Sequence, residues 1–207
     1  MPLDAHGRTE LALVLALGGG NLVAEAAHAK TPFVLAGAVI CLAWVALRIR
    51  GEPGVLRSWG FRTDTLVPAL RPVGIATASI LAAIAVWAAA AQRLPPPPGF
   101  WPTLVLYPLW GIAQQFLLNA VLARRLREAL PEWAAWTLAT ALFSLAHAPD
   151  VPLMLLAGAA GALWIPIYRR WPNLWLLGFC HGVLGSAVWY GVLGRDAWLA
   201  LSGGGAP

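Results

Sequence analysis

Residues 101–123 read WPTLVLYPLWGIAQQFLLNAVLA, a run of 23 positions without a charged side chain. A bilayer-crossing helix needs about 20 consecutive, mostly apolar residues. This stretch is long enough, and Arg124, Arg125 and Arg127 follow it at once. Its only strongly polar groups are amides, at Gln114, Gln115 and Asn119. The rest of the chain has the same character. Hydrophobic residues make up 59% of the 207 positions and charged residues 11%, against about 25% charged in soluble domains. So much apolar surface would aggregate in water. A cytosolic enzyme, a disordered tail and a disulfide scaffold are excluded, and the sequence predicts an all-α, polytopic transmembrane helix bundle forming one domain. Cys41 and Cys180 lie inside apolar runs and read as small buried hydrophobes. The net charge of +5 comes from short clusters between apolar runs, not from a basic face, so no nucleic acid is expected as a partner. The expected partner is the lipid bilayer.

Seven spans are expected, over about 10–27, 32–49, 72–91, 101–123, 132–148, 151–168 and 172–193. With that count, one side holds Arg8, Arg48, Arg50, Arg57, Arg62, Arg71, Arg124, Arg125, Arg127, Arg169 and Arg170. The other side holds Lys30, Arg93 and Arg195. The positive-inside rule then predicts a cytoplasmic N-terminus. Ala27-His28-Ala29 looks like a signal cleavage site, but Asp4 and Glu10 make a poor positively charged leader, so the first span is expected to be retained. Residues 56–70, with arginines beside Trp59 and Phe61, are expected to form an interfacial helix before span three. The prolines from Pro95 to Pro98 end that span. Richness in alanine and arginine beside a single lysine suggests a bacterial source, hence an inner (cytoplasmic) membrane.

Polar residues inside a membrane are functional pointers by default, although they also join helices. Here they fall on spans four, five and seven: Gln114, Gln115 and Asn119; Ser144 and His147; His181 and Ser186. Gln115 and Asn119 are four apart and share a helix face, as do Phe143 and His147. Gly178, Gly182 and Ser186 form a small-residue stripe that permits close helix approach. Alternating helices would put Gln114 and His181 at similar depth.

The spacing Gln114-Gln115-x-x-x-Asn119, Phe143-x-x-x-His147 and His181-x-x-x-Gly185 resembles the CAAX protease and bacteriocin-processing family of intramembrane proteases. That family has Glu-Glu-x-x-x-Arg, Phe-x-x-x-His and His-x-x-x-Asn or Asp at these places. The resemblance covers about residues 101–193, and only the second motif matches in full. It implies a catalytic set at Gln114, Gln115, Asn119, His147 and His181, with Phe143, Ser144, Gly185 and Ser186 lining the substrate. It also implies a membrane-bound or lipidated peptide as partner.

In the family the first Glu activates water, the histidines assist and the Asn helps hold the oxyanion. Gln114 stands at the base position, and a carboxamide cannot take a proton from water. Gln115 and Asn119 replace an ion pair with two neutral amides. Losing one partner alone would strand a buried charge, so the site looks neutralised as a unit. Gly185 lacks an oxyanion side chain. Hydrolysis is therefore expected to be impaired or lost. Two alternatives remain open: an active peptidase using His147 and His181, and a non-enzymatic scaffold or transporter component. Nucleophilic use of Ser186 or Cys180 with a histidine is a minor rescue route, and Asp150 is the nearest carboxylate to His147. Two histidines fall short of the three protein ligands of catalytic zinc, so no metal and no cofactor is expected.

Overall fold

The computed structural model describes residues 4–202, and the regular structure among them is entirely helical. In chain order the elements are α1 (Ala5–Ala26), α2 (Lys30–Gly51), the single turn α3 (Val55–Ser58), α4 (Leu66–Ala90) and α5 (Phe100–Gln115). α5 continues as a π-helical stretch over Phe116–Ala123 into α6 (Arg124–Ala129). Then come α7 (Glu132–Leu145), α8 (Val151–Arg170), α9 (Leu174–Ala187), a π-helical stretch over Val188–Val192, and α10 (Ala197–Ser202). Among the described residues, six helices are long and apolar enough to cross a membrane: His6–Ala26, Lys30–Gly51, Leu66–Ala90, Phe100–Ala129, Val151–Arg170 and Leu174–Val192. α2 buries Gly37 and leaves Leu35, Val39 and Leu42 more than 60% exposed, a face suited to lipid rather than water.

Two expectations are refined. The expected fifth span corresponds to α7, whose helix has only 14 residues, about 21 Å at 1.5 Å per residue. It runs back along α8, with Glu132 beside Arg169, and the turn over 146–150 makes up the rest of the expected run. The chain leaves the helix at Ala146, and Asp150 already caps α8, its Oδ1 accepting from Leu153 N at 3.2 Å. Residues 56–70 do not form a separate interfacial helix. α3 is one turn, and Leu66–Leu70 are the start of α4, which carries Pro72 within it. Trp59 is fully buried instead of facing headgroups. Its ring lies 5.4 Å from that of Trp44, and its carbonyl accepts from Tyr168 Oη at 2.8 Å.

The described chain divides into two compact units. One takes in the residues up to Phe61 and Leu117–Arg170. Its apolar core is built from Leu118, Leu122, Leu126, Ala135, Ala139 and Ile165, with Leu11, Val14, Leu142 and Phe143 packed against them. Asp4 caps α1: its carboxylate accepts from Gly7 N at 2.6 Å, which holds its pKa below the ordinary range. Six residues on, Glu10 is 1% exposed. Its Oε2 takes Arg124 Nη2 at 3.0 Å and Arg125 Nε at 2.6 Å, and Arg48 Nη2 stands 3.5 Å from its Oε1. Arg48 also pairs with Glu52 and Arg125 with Glu128. The start of α1, the end of α2 and α6 are thus tied at one level. α7 and α8 form a hairpin, with Arg169 paired to Glu132 and Ser144 Oγ donating to Met154 O at 2.8 Å. Near the turn of this hairpin, Asn21 of α1 donates to Ala146 O at 3.1 Å.

The other unit takes in Arg62–Phe116 and the residues from Trp171 on. Asn173 caps α9, accepting from Leu176 N at 3.0 Å while its Nδ2 donates to Arg62 O at 2.7 Å. The expected small-residue stripe does bring α9 against α5. A Cβ at Gly111 would collide with Gly178 O, and one at Gly182 with Pro108 Cα and N. These obstacles are backbone and cannot swing aside. Gly182→Ala is therefore expected to destabilise the protein by about 1–3 kcal/mol through overpacking, read as a lowered thermal midpoint in detergent.

Candidate functional site

α5 and α9 carry one half of the expected site. Their close approach at Gly111, Gly178 and Gly182 sets the depth of Gln114 against that of His181, as expected from helix alternation. His181 Nε2 lies 3.2 Å from Gln114 Oε1. With the amide oxygen facing the ring, Nε2–H donates. With a carboxamide as partner the contact is a hydrogen bond, not an ion pair, and the amide has no titration to offer. Beside it Gln115 is fully buried.

Gly185 and Ser186 lie one turn further along α9. Ser186 is fully buried, and its Oγ donates to Gly182 O at 3.2 Å, a bond to its own helix. Gly185 is not an open gap. A Cβ there would sit 2.5 Å from Tyr107 Cε1. Tyr107 is held in turn by Trp189, whose Nε1 donates to Tyr107 Oη at 2.8 Å. An aromatic ring thus occupies the space that a side chain at 185 would need. Sequence reasoning missed Tyr107, and the one available signal was a glycine at a position where the resemblance implies Asn or Asp. Gly185→Asn alone is expected to lower the thermal midpoint. Combined with Tyr107→Ala, it is expected to recover part of that loss.

The other expected residues belong to the first unit. Phe143 and His147 close the end of α7. His147 Nδ1 stands 2.8 Å from Phe143 O, and the two rings meet edge to face at 5.1 Å. A carbonyl only accepts, so Nδ1 carries the proton and Nε2 the lone pair. Asp150, the nearest carboxylate in sequence, has its Oδ1 on the first turn of α8. Ser144 is committed to Met154 O. Asn119 is 1% exposed and lies in the π-helical stretch Phe116–Ala123. Four residues slightly overshoot a turn in an α-helix and fall slightly short of one where hydrogen bonds run i→i+5, so a four-residue spacing keeps to one face in either. π-helical insertions are often found at functional sites. This one begins directly after Gln114-Gln115.

Among the described residues, no three of His, Cys, Asp and Glu come together in a way that could hold a metal ion. Residues 95–186 match the family model described as type II CAAX prenyl endopeptidase, Rce1-like. The matched stretch contains all nine expected site residues. Over that stretch, somewhat under half of its length, the chain is similar to CAAX-type prenyl endopeptidases, and six of its helices are long and apolar enough to cross a membrane. Comparisons with curated proteins and with solved structures give no match.

Proposed function

We propose that this CAAX-protease-like protein has lost, or nearly lost, peptide-bond hydrolysis, and that it binds a membrane-bound or lipidated peptide at the helix pair carrying Gln114 and His181. The supporting observation is the amide 3.2 Å from His181. The resemblance implies a carboxylate at that place, and a carboxamide cannot act as general base. Neutral Gln115 and Asn119, and the ring filling the space beside Gly185, support the same reading. On it, the protein is a bacterial pseudoenzyme of the inner membrane with a cytoplasmic N-terminus. The gathering of Arg48, Arg124 and Arg125 around Glu10 supports the grouping of basic segments on one side.

The test is binding of a prenylated peptide to the full chain in micelles, followed by recovery and mass analysis of the peptide. The expected result is saturable binding, weakened by Gln114→Ala, with the peptide recovered intact. Absence of binding would favour a scaffold role. A second reading, an active peptidase, is favoured by one observation. The Phe143 carbonyl holds His147 in the tautomer whose Nε2 can accept a proton. That reading predicts turnover that His147→Ala abolishes.

A further inference from the structure

Outside the site already described, the second unit holds a cleft of about 390 Å³, within the range of about 300–1,000 Å³ typical of ligand pockets. Its lining includes Gln92, Arg93, Pro97, Tyr190, Arg195 and Asp196. Three membrane-crossing helices meet their ends here, at Ala90, Phe100 and Val192. The cleft therefore opens at headgroup depth. Trp87 and Trp101, each more than half exposed, flank the same helix ends, where aromatic belts form.

The charges in the cleft are unevenly committed. Asp196 is spent internally: its Oδ1 accepts from Tyr190 Oη at 2.7 Å and from Trp198 N at 2.9 Å. Arg93 uses Nη1 on the carbonyls of Gly191 and Val192, which closes the π-helical end of α9. Its Nε and Nη2 lie against Gly194, whose φ is +66°. A Cβ at that position would meet them at 3.0 and 3.1 Å, so only glycine both tolerates the backbone and leaves that edge of the guanidinium uncovered. Gln92 turns the chain out of α4 with φ at +55°, unusual outside glycine, and so delivers Arg93 to the cleft. Arg195 is exposed, with its guanidinium carbon 6.0 Å from the Trp189 ring centre.

We propose that this cleft binds a phosphate group, with Arg93 and Arg195 as its cationic walls, and that the phosphate belongs to an anionic lipid headgroup. Guanidinium groups match phosphate oxygens in charge and geometry, and the depth of the cleft favours a lipid over a soluble anion. The site is separate from the Gln114–His181 pair and does not depend on the proposed loss of hydrolysis.

The experiment uses the full chain in phosphatidylcholine micelles doped with phosphatidylglycerol, with retained lipid counted by native mass spectrometry. Phosphatidylglycerol is expected to be retained over phosphatidylcholine, and about fivefold less in Arg195→Gln, given the usual contribution of one basic residue at a membrane surface. Inorganic phosphate added at millimolar concentration separates the two sources. If it leaves retention unchanged, the ligand is the lipid. If it displaces the lipid, and stabilises wild type but not Arg195→Gln, the site takes free phosphate. Arg93 also closes a helix end, so Arg195→Gln is the deciding variant. Equal retention of both lipids, or retention unaffected by Arg195→Gln, overturns the proposal.

Discussion

Glu10→Ala is expected to cost about 3–5 kcal/mol of stability, the range for removing one partner of a buried ion pair. The substitution removes a carboxylate on which three guanidiniums converge. Arg125 Nε lies 2.6 Å away, Arg124 Nη2 3.0 Å and Arg48 Nη2 3.5 Å. Arg48 and Arg125 keep Glu52 and Glu128 as second partners, but those carboxylates are about half exposed and cannot substitute at the buried centre. Like charges would then face each other between the start of α1, the end of α2 and α6. Thermal melting of the full chain in detergent reads the effect. An unchanged midpoint would mean that solvent reaches Glu10 and that the network adds nothing to stability. Replacing Arg124, which is 24% exposed, is expected to cost less.

Gln114→Glu combined with Gln115→Glu and Asn119→Arg is expected to raise peptide hydrolysis by at least about 100-fold over wild type, the lower end of what a positioned general base contributes. The new carboxylate at 114 would stand where Oε1 now lies 3.2 Å from His181 Nε2. There it could take a proton from water, with the imidazole as its partner. Position 115 is fully buried, so a glutamate placed there without the arginine at 119 would strand a buried charge. Gln115→Glu alone is therefore expected to unfold the protein more readily than the triple change.

Much of this molecule was legible in its sequence, because membranes impose simple rules. Apolar run length gave the crossing helices, and the glycines at 178 and 182 gave the close contact between α5 and α9. The pairing in depth of Gln114 with His181 followed from helix alternation. Other features were hidden for identifiable reasons. An apolar run over 132–148 reads as one span, yet the helix within it stops at Leu145 and the remainder is turn. Composition does not mark that stop. Arginines beside Trp59 read as interfacial, whereas the Trp59 ring is buried against Trp44. Glu10 served in the sequence only as an argument against a leader, because its partners lie 38 to 115 positions away. The π-helical stretch after Gln115 has no residue signature, so it could not be read from the sequence. Tyr107 escaped notice because nothing in the local sequence says which helix it packs on.

The most direct measurement is a cleavage assay in detergent micelles on prenylated and unprenylated peptides, with wild type, His147→Ala and the triple variant side by side. The account predicts no turnover by wild type and measurable turnover by the triple variant. Wild-type turnover that His147→Ala abolishes would contradict it, showing that a site of neutral amides and histidines drives hydrolysis without a carboxylate.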